Sequence, residues 1–172
     1  MPAGCPGSSV QAVIGYPLDV QVHEDSAVRP LNMYGVSKCF AEAVAHYFAA
    51  TEGLSCIVIR VGTFDYDVKG EKSTARHMST YVSRRDMVHL LVQCIETPHV
   101  KFAIAHGVSN NRFKFLDISS TREVLGYYPQ DDAFQIAGTG LRYIEQFNDI
   151  SGSMITGRGK KSYQGQDEQE DE

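Results

Sequence analysis

The chain has 172 residues, of which 42% are hydrophobic, and a formal net charge of −5. This length and composition suit one globular domain that is large enough to bury a core. Five acidic residues lie between Gly165 and Glu172, so the rest of the chain carries no net charge. The sequence has no basic stripe, and we therefore expect no nucleic-acid partner.

Cysteine usage and hydropathy indicate the class of protein. The cysteines are Cys5, Cys39, Cys56 and Cys94, and none of them forms a C-x-x-C pair. Free cysteines in apolar segments are typical of a reduced protein, and we expect a cytoplasmic one. No apolar run is long enough to span a membrane, so no membrane partner is expected. The six histidines show no tight ligand spacing, which predicts that there is no metal site.

The first part of the chain alternates between strand and helix patterns. Ser8 to Gly15 is typical of a strand that runs into a loop, and a helix is predicted from about Leu31 to Thr51. Ser55 to Val61 is a continuous β-branched run, as in a strand that is covered on both faces of a parallel sheet. The helix is expected to bury an apolar stripe. That stripe comprises Met33, Val36, Phe40, Val44, Tyr47 and Phe48.

The second part continues in the same way. Gly62 to Thr80 is predicted to be a long polar loop, followed by a helix that Ser83 and Asp86 open as a capping box. This helix is predicted to run to about Thr97 and to bury Met87, Leu90, Leu91, Cys94 and Ile95. A strand over Val100 to His106 and helices over Ser119 to Leu125 and Asp132 to Phe147 complete a domain that spans residues 1–150. Residues 151–172 form a polar acidic tail that we expect to be disordered.

One pair of side chains in the first helix has chemical potential. Tyr34 and Lys38 are four residues apart, which places them on one face of the helix, one turn apart. An ammonium beside a phenol favours the phenolate, so the pair can accept and return a proton. Without further evidence, however, a half-buried tyrosine and a solvated lysine would explain the same spacing.

The order of four motifs adds that evidence. Ser8-Ser9 lies at a strand end, Tyr34 to Lys38 is a Y-x-x-x-K motif, Ile59 to Thr63 closes the next strand, and Ser83 to Val88 opens the following helix. Together they resemble the second half of an extended short-chain dehydrogenase/reductase, a member of the NAD-dependent epimerase/dehydratase superfamily. The resemblance implies an α/β fold, the C-terminal part of a Rossmann-like NAD(P)-binding parallel sheet with flanking helices, without its first βαβ units.

Within that superfamily the chain is similar to uronate dehydrogenases. The segments that carry this similarity are Arg29 to Glu42, Arg60 to Gly62, Arg76 to Asp86 and Leu125 to Asp131. The implied reaction is the NAD-dependent oxidation of C1 of a hexuronate to the lactone, with a small-molecule sugar acid as substrate. The family also makes a homo-oligomer a reasonable expectation.

The resemblance implies a role for each candidate site residue. Tyr34 would take the C1 hydroxyl proton, Lys38 would favour the phenolate and hold the nicotinamide ribose, and Ser9 would hydrogen-bond the reacting oxygen. Val61, Gly62 and Thr63 would line the nicotinamide pocket, with Thr63 also facing the substrate. Arg76 would bind the C6 carboxylate, since a guanidinium fork fits a planar anion. Ordinary turn or loop roles for Ser9, Thr63 and Arg76 are the alternatives.

The chain also departs from this family. It has no glycine-rich phosphate turn near its start, so the adenine half of an NAD site has no counterpart, and Val10 replaces an asparagine that holds substrate in uronate dehydrogenases. We expect the Ser55 to Val61 strand to lack a neighbour. We also expect this chain by itself to bind NAD weakly and to have little activity. The alternatives are a nucleotide-sugar epimerase or dehydratase, and a non-catalytic remnant or interaction partner.

Overall fold

A parallel three-stranded sheet forms the centre of the protein. The computed structural model describes residues 6–69, 73–97 and 99–138. Strands β1 (Gly7–Ser9), β2 (Cys56–Val61) and β5 (Phe102–Gly107) pair in the order β1–β2–β5, all parallel. Two short strands, β3 (Thr63–Phe64) and β4 (Tyr81–Val82), form a second parallel pair. The predicted α/β class with a parallel sheet is confirmed.

Helices flank the central sheet. They are α1 (Met33–Thr51), α2 (Ala75–Thr80), α3 (Arg84–Glu96), α4 (Ser119–Leu125) and α5 (Ala133–Ala137). Alternate residues of β2 point to opposite faces of the sheet. On one face Cys56 and Val58 pack with α1, and on the other Ile57 and Ile59 pack with α3. Burial on both faces explains why this strand is apolar throughout.

The expectation that β2 would lack a neighbour is wrong. It is hydrogen-bonded to β1 on one side and to β5 on the other. Among the strands that the structure describes, β1 and β5 are therefore the edges of the three-stranded sheet.

The predicted buried stripe of α1 is also wrong. Met33, Val36, Phe40, Tyr47 and Phe48 are all exposed, with Met33 at 78% and Phe40 at 70%. The residues that α1 buries are Gly35, Glu42, Ala45 and Ala49. Small side chains allow the helix to lie close to the sheet, and the larger apolar residues then point away from it.

The segment between Gly62 and Thr80 contains more structure than the predicted loop. It includes β3 and α2, and Thr74 caps α2 by accepting a hydrogen bond from the His77 N–H at 3.3 Å. A small apolar cluster holds the segment to the end of the domain. Its buried members are Val68, Met78, Tyr81, Ala133 and Phe134. Because the segment is mostly polar, its sequence did not reveal these few apolar contacts.

The helix ends agree better with the sequence. Ser83 caps α3 by accepting from the Asp86 N–H at 3.1 Å, but the Asp86 carboxylate accepts from Ser109, Gln130 and Asp131 instead of closing the predicted capping box. In α3, Met87, Leu90 and Cys94 are buried as predicted, whereas Leu91 and Ile95 are exposed.

The C-terminal elements are described only in part. Helix α4 has its predicted bounds and ends at Gly126, which takes a left-handed conformation with φ of 68°. Asp132 caps α5, and the rest of the predicted last helix lies outside the described residues, as does the predicted acidic tail over residues 151–172. Within the described part of the chain, none of the helices is long and apolar enough to cross a bilayer.

Gly62 offers a test of the packing between β2 and α2. A Cβ atom at this position would lie 1.9 Å from the Thr80 carbonyl oxygen and 2.9 Å from Val108 Cγ1. Because the carbonyl is backbone, Gly62→Ala should force the two elements apart and lower the free energy of unfolding by about 3 kcal/mol, as for an overpacked core. Chemical denaturation measures this change.

Gly7→Ala is the matched control, since a Cβ atom on Gly7 would meet nothing within 4 Å. This variant should unfold within about 0.5 kcal/mol of the original chain, as a typical surface substitution does. Equal losses for the two variants would contradict the packing described for Gly62.

Candidate functional site

The candidate site lies at the carboxyl edge of the parallel sheet. Ser9 is the register partner of Val61, and Val61 is the register partner of Gly107, so β1, β2 and β5 end together. Open α/β sheets bind their ligands beyond this edge. The chain continues from it into a 3₁₀ turn, Val10–Ala12, after β1 and into Gly62 and Thr63 after β2.

Tyr34 and Lys38 are adjacent on the first turns of α1. The Lys38 Nζ lies 5.1 Å from the centroid of the Tyr34 ring, within the range of a cation–π contact. The Tyr34 side of the pair is accessible to a ligand, since the residue is 56% exposed. Within the described residues, the Lys38 ammonium has no hydrogen-bond acceptor. The pair therefore has an accessible phenol and three unused N–H donors.

The two serines of β1 differ in their hydrogen bonds. Ser9 is extended, and its Oγ accepts from the Gln11 N–H at 3.2 Å, while among the described residues its own hydroxyl proton has no acceptor. Ser8 instead donates to the Glu42 carboxylate at 2.7 Å. Of the two, Ser9 is the serine to which the resemblance assigns the hydrogen bond to the reacting oxygen.

A close backbone contact holds α1 against the turn that follows Ser9. A Cβ atom on Gly35 would lie 2.5 Å from the Gln11 carbonyl oxygen, so this position has no room for a side chain. Asn32 caps the helix through the Gly35 N–H at 2.7 Å, and its Nδ2 donates to Gln11 Oε1 at 3.1 Å. The Tyr34 turn and the Ser9 turn are thereby in direct contact.

Thr63 and Arg76 belong to a second connected group. Thr80 Oγ1 donates to the Arg76 carbonyl at 2.7 Å, so in its 2.8 Å contact with Thr63 the Thr63 hydroxyl is the donor. The Thr63 oxygen can then only accept from a ligand. Packing explains why residue 62 is a glycine, because the Thr80 carbonyl oxygen occupies the space that a side chain would need.

The Arg76 guanidinium is partly buried and only partly satisfied. Its Nη2 donates to the Tyr16 carbonyl at 3.3 Å, and its Cζ lies 4.8 Å from the Phe115 ring centroid. The Nη1 is buried and has no hydrogen-bond partner among the described residues. Burial lowers the pKa of Arg76 from its ordinary value. A buried donor without a partner is costly, and an anion would relieve that cost.

Sequence reasoning missed the charged residues beneath this edge. Arg60 and Glu42 form a buried ion pair with N–O distances of 2.9 Å. The available signals were a single arginine in an apolar strand and a glutamate one turn after Lys38. The described residues contain no group of three or more His, Cys, Asp or Glu that is placed to hold a metal ion.

His106 lies in the same polar interior and is fully buried. Its Nδ1 is 2.6 Å from the Asp117 carbonyl oxygen, which makes that nitrogen the protonated one. The Nε2 is buried and has no partner within the described part of the chain. Burial lowers the pKa of His106 to about 4, although the hydrogen bond to Asp117 acts in the opposite direction.

The parallel sheet with a Tyr–Lys pair at its carboxyl edge resembles the short-chain dehydrogenases/reductases. No model of a known protein family matches the chain. Among curated proteins, an NAD-dependent glucose-6-phosphate dehydrogenase of Haloferax volcanii is 34% identical over 112 residues, which are 65% of this chain and 42% of that protein. A uronate dehydrogenase of Pseudomonas putida is 30% identical over 126 residues, 73% of this chain and 45% of that protein.

A solved structure agrees with these relatives. A mutant of uronate dehydrogenase from Agrobacterium tumefaciens, complexed with NAD, superposes with a TM-score of 0.69 at 25% identity, over 93% of this chain and 53% of that one. The resemblance to extended short-chain dehydrogenases/reductases that the sequence predicts is thus confirmed. The chain spans about half the length of the proteins it matches.

The pKa of His106 predicts how stability depends on pH. An unfolded histidine titrates near pH 6.5, and the folded chain holds this one neutral down to about pH 4. Between these values the unfolded chain binds more protons, so stability should be complete above about pH 6.5 and fall by about 3 kcal/mol as the pH drops to 4. Urea unfolding from pH 7.5 to 4.5 measures the slope.

His106→Gln should reduce that slope whatever its effect on stability at pH 7.5. His46→Gln, at an exposed position, is the control and should leave the slope unchanged. The same pH dependence in both variants would contradict a buried neutral His106.

Proposed function

We propose that the chain carries the proton-transfer and sugar-binding side of an NAD-dependent sugar dehydrogenase that oxidises C1 of a hexuronate to the lactone. The observation that carries the proposal is the Lys38 ammonium over the open Tyr34 ring, at the sheet edge where Ser9 and Val61 end. The relatives named above, which are sugar dehydrogenases, support the assignment.

The residues at the edge can divide the chemistry between them. Oxidation of a hemiacetal removes a proton from the C1 hydroxyl and a hydride from C1. Tyr34, as phenolate, accepts the proton, and the Lys38 ammonium lies 5.1 Å from the centroid of its ring. The Ser9 hydroxyl, whose proton has no acceptor among the described residues, donates to the reacting oxygen. The sugar is thus held by two polar groups, one on α1 and one at the end of β1.

NAD, when bound, supplies the hydride acceptor. The residues that fit its nicotinamide half are Lys38, whose N–H donors suit ribose hydroxyls, and Thr63, whose oxygen can accept from an amide. Val61 and Gly62 would form the wall beside them. Within residues 6–69, 73–97 and 99–138, we find no glycine-rich turn between a strand and a helix for the pyrophosphate.

Arg76 is proposed to recognise the acid group of the sugar. Within the described part of the chain its buried Nη1 has no hydrogen-bond partner, while Nη2 donates to the Tyr16 carbonyl and the guanidinium lies against Phe115. A guanidinium held in this way suits a carboxylate, which can accept two parallel hydrogen bonds. A sugar phosphate would use the same donors, so it is the competing substrate in the experiments below.

Two further proposals concern the setting of the protein. A cytoplasmic location is supported by the cysteines, since Cys39 and Cys56 form no disulfide bond within the described part of the chain. Self-association is supported by the large apolar side chains that α1 exposes, such as Phe40 and Met33.

Tyr34→Phe tests the proton transfer. The ring and its contact with Lys38 remain, but the proton acceptor is lost, so NADH formation from glucuronate should fall about 10²- to 10⁴-fold. Assays at high NAD concentration offset weak cofactor binding. Tyr47→Phe is the control. It changes an exposed tyrosine of α1 that is outside the proposed site, and it should keep the original rate. Where the original chain forms NADH at a measurable rate, an equal rate for Tyr34→Phe would contradict the assignment.

Arg76→Met tests substrate recognition without turnover. Glucuronate binding, followed by calorimetry, should weaken by about 1.5–3 kcal/mol, the range for a hydrogen bond to a charged group. Arg84→Met removes an exposed arginine of a surface ion pair and is the matched control. Glucose should bind both variants alike. Tighter binding of glucose 6-phosphate than of glucuronate would contradict the uronate assignment while leaving Arg76 as an anion site.

A further inference from the structure

A buried ion pair joins α1 to the central sheet. The Arg60 guanidinium reaches Glu42 through Nε and Nη2, each 2.9 Å from a different carboxylate oxygen. The arginine side chain is 2% exposed and the glutamate side chain 7%. The contact is therefore a two-bond fork in a dry environment, on the face of the sheet that α1 covers.

Ser8 is the third member of this cluster. Its hydroxyl donates to Glu42 Oε1 at 2.7 Å, and on the sheet it is the register partner of Arg60. The Glu42 carboxylate thus accepts from two neighbouring strands at once. We call Ser8, Glu42 and Arg60 the clamp.

Each member of the clamp is adjacent to a residue of the proposed site. Glu42 lies one helical turn after Lys38, Ser8 directly precedes Ser9, and Arg60 directly precedes Val61. A translation of α1 along its axis, or a rotation about it, would break the two hydrogen bonds between Arg60 and Glu42. They would break before Tyr34 had moved by one helical turn. The clamp thus joins the helix to the strand ends alongside the contact between Gly35 and Gln11.

The apolar contacts of α1 do not fix this relation equally well. They come from small residues, Ala45 and Ala49, against Cys56 and Val58. Dispersion is non-directional, and small side chains allow a helix to slide at little cost. Bidentate hydrogen bonds between ions, by contrast, are directional.

Energetics also point to a role other than stability. Taking two charges out of water largely cancels their attraction, and apolar replacement of a buried pair is often neutral or stabilising. We propose that Ser8, Glu42 and Arg60 are positioning residues that hold the Tyr34–Lys38 turn in reach of Ser9 for the reaction. This inference rests on the proposed function.

The test replaces the whole clamp by apolar residues, because removal of one partner would bury an unpaired charge. The variant Ser8→Ala/Glu42→Leu/Arg60→Met should fold and keep its helical circular dichroism. Hydrogen exchange should become roughly tenfold faster or more at the Gln11, Val13 and Val36 amides, which belong to the α1–β1 junction, and stay unchanged at Leu90 and Cys94 in α3.

Turnover is the second measurement. With glucuronate and NAD, the kcat of the triple variant should fall about 10²-fold with KM within about twofold, since misplacement affects the reaction more than binding. Arg60→Lys retains the charge but loses the fork, and it should show smaller changes in the same direction. Arg85→Met, which removes a surface ion pair, should change neither quantity.

Each result decides something. Unchanged exchange at the junction, in either clamp variant, overturns the inference whether or not the chain is active. Faster exchange with an unchanged kcat shows that the clamp does not serve the reaction and also overturns it. Faster exchange in a chain that turns over no sugar supports the clamp as the element that places α1, and it is the proposed function that then fails.

Discussion

The hydrogen-bonded register of β1, β2 and β5 is the constraint on which the rest of the protein depends. Because Ser9, Val61 and Gly107 lie side by side, the segments that leave these strands must share one edge. A slip of one residue would turn Arg60 from the face of α1 to the face of α3, where its charge would meet an apolar cluster. The register of the sheet and the location of its buried charge therefore determine each other.

Local signals in the sequence were sufficient for much of this architecture. The caps at Ser83 and Asp132 and the end of α4 at Gly126 each depend on residues within one turn of the chain. The contact between Tyr34 and Lys38 is of the same kind, because helical geometry alone brings residues four apart together. The roles of Ser9, Thr63 and Arg76 were inferred from the resemblance. The structure adds which of their hydrogen-bond donors and acceptors have no partner among the described residues.

Non-local contacts account for two wrong predictions, the buried stripe of α1 and the unstructured loop over Gly62 to Thr80. Periodicity finds an apolar stripe on α1, but it does not tell whether that stripe faces the core of the chain itself. The helix turns Ala45 and Ala49 to the sheet, where they pack against Cys56 and Val58 of β2. Likewise, α2 exists because Met78 packs on Phe134, more than fifty residues later in the chain, and such a contact leaves no local pattern.

A network of hydrogen bonds connects Arg60 with His106 in the polar interior beneath the site edge. Arg60 donates to the Glu24 backbone carbonyl, and the Glu24 carboxylate accepts from the Thr121 hydroxyl. That hydroxyl also accepts from the backbone N–H of His106. Hydrogen bonds in a region of low dielectric are strong when every group is paired, and costly when one is not. Within the described residues the ring Nε2 of the same His106 has no partner, which is tolerable only while the ring is neutral. The same burial that gives the Glu42–Arg60 pair its directional strength therefore limits the pH range in which the interior stays intact.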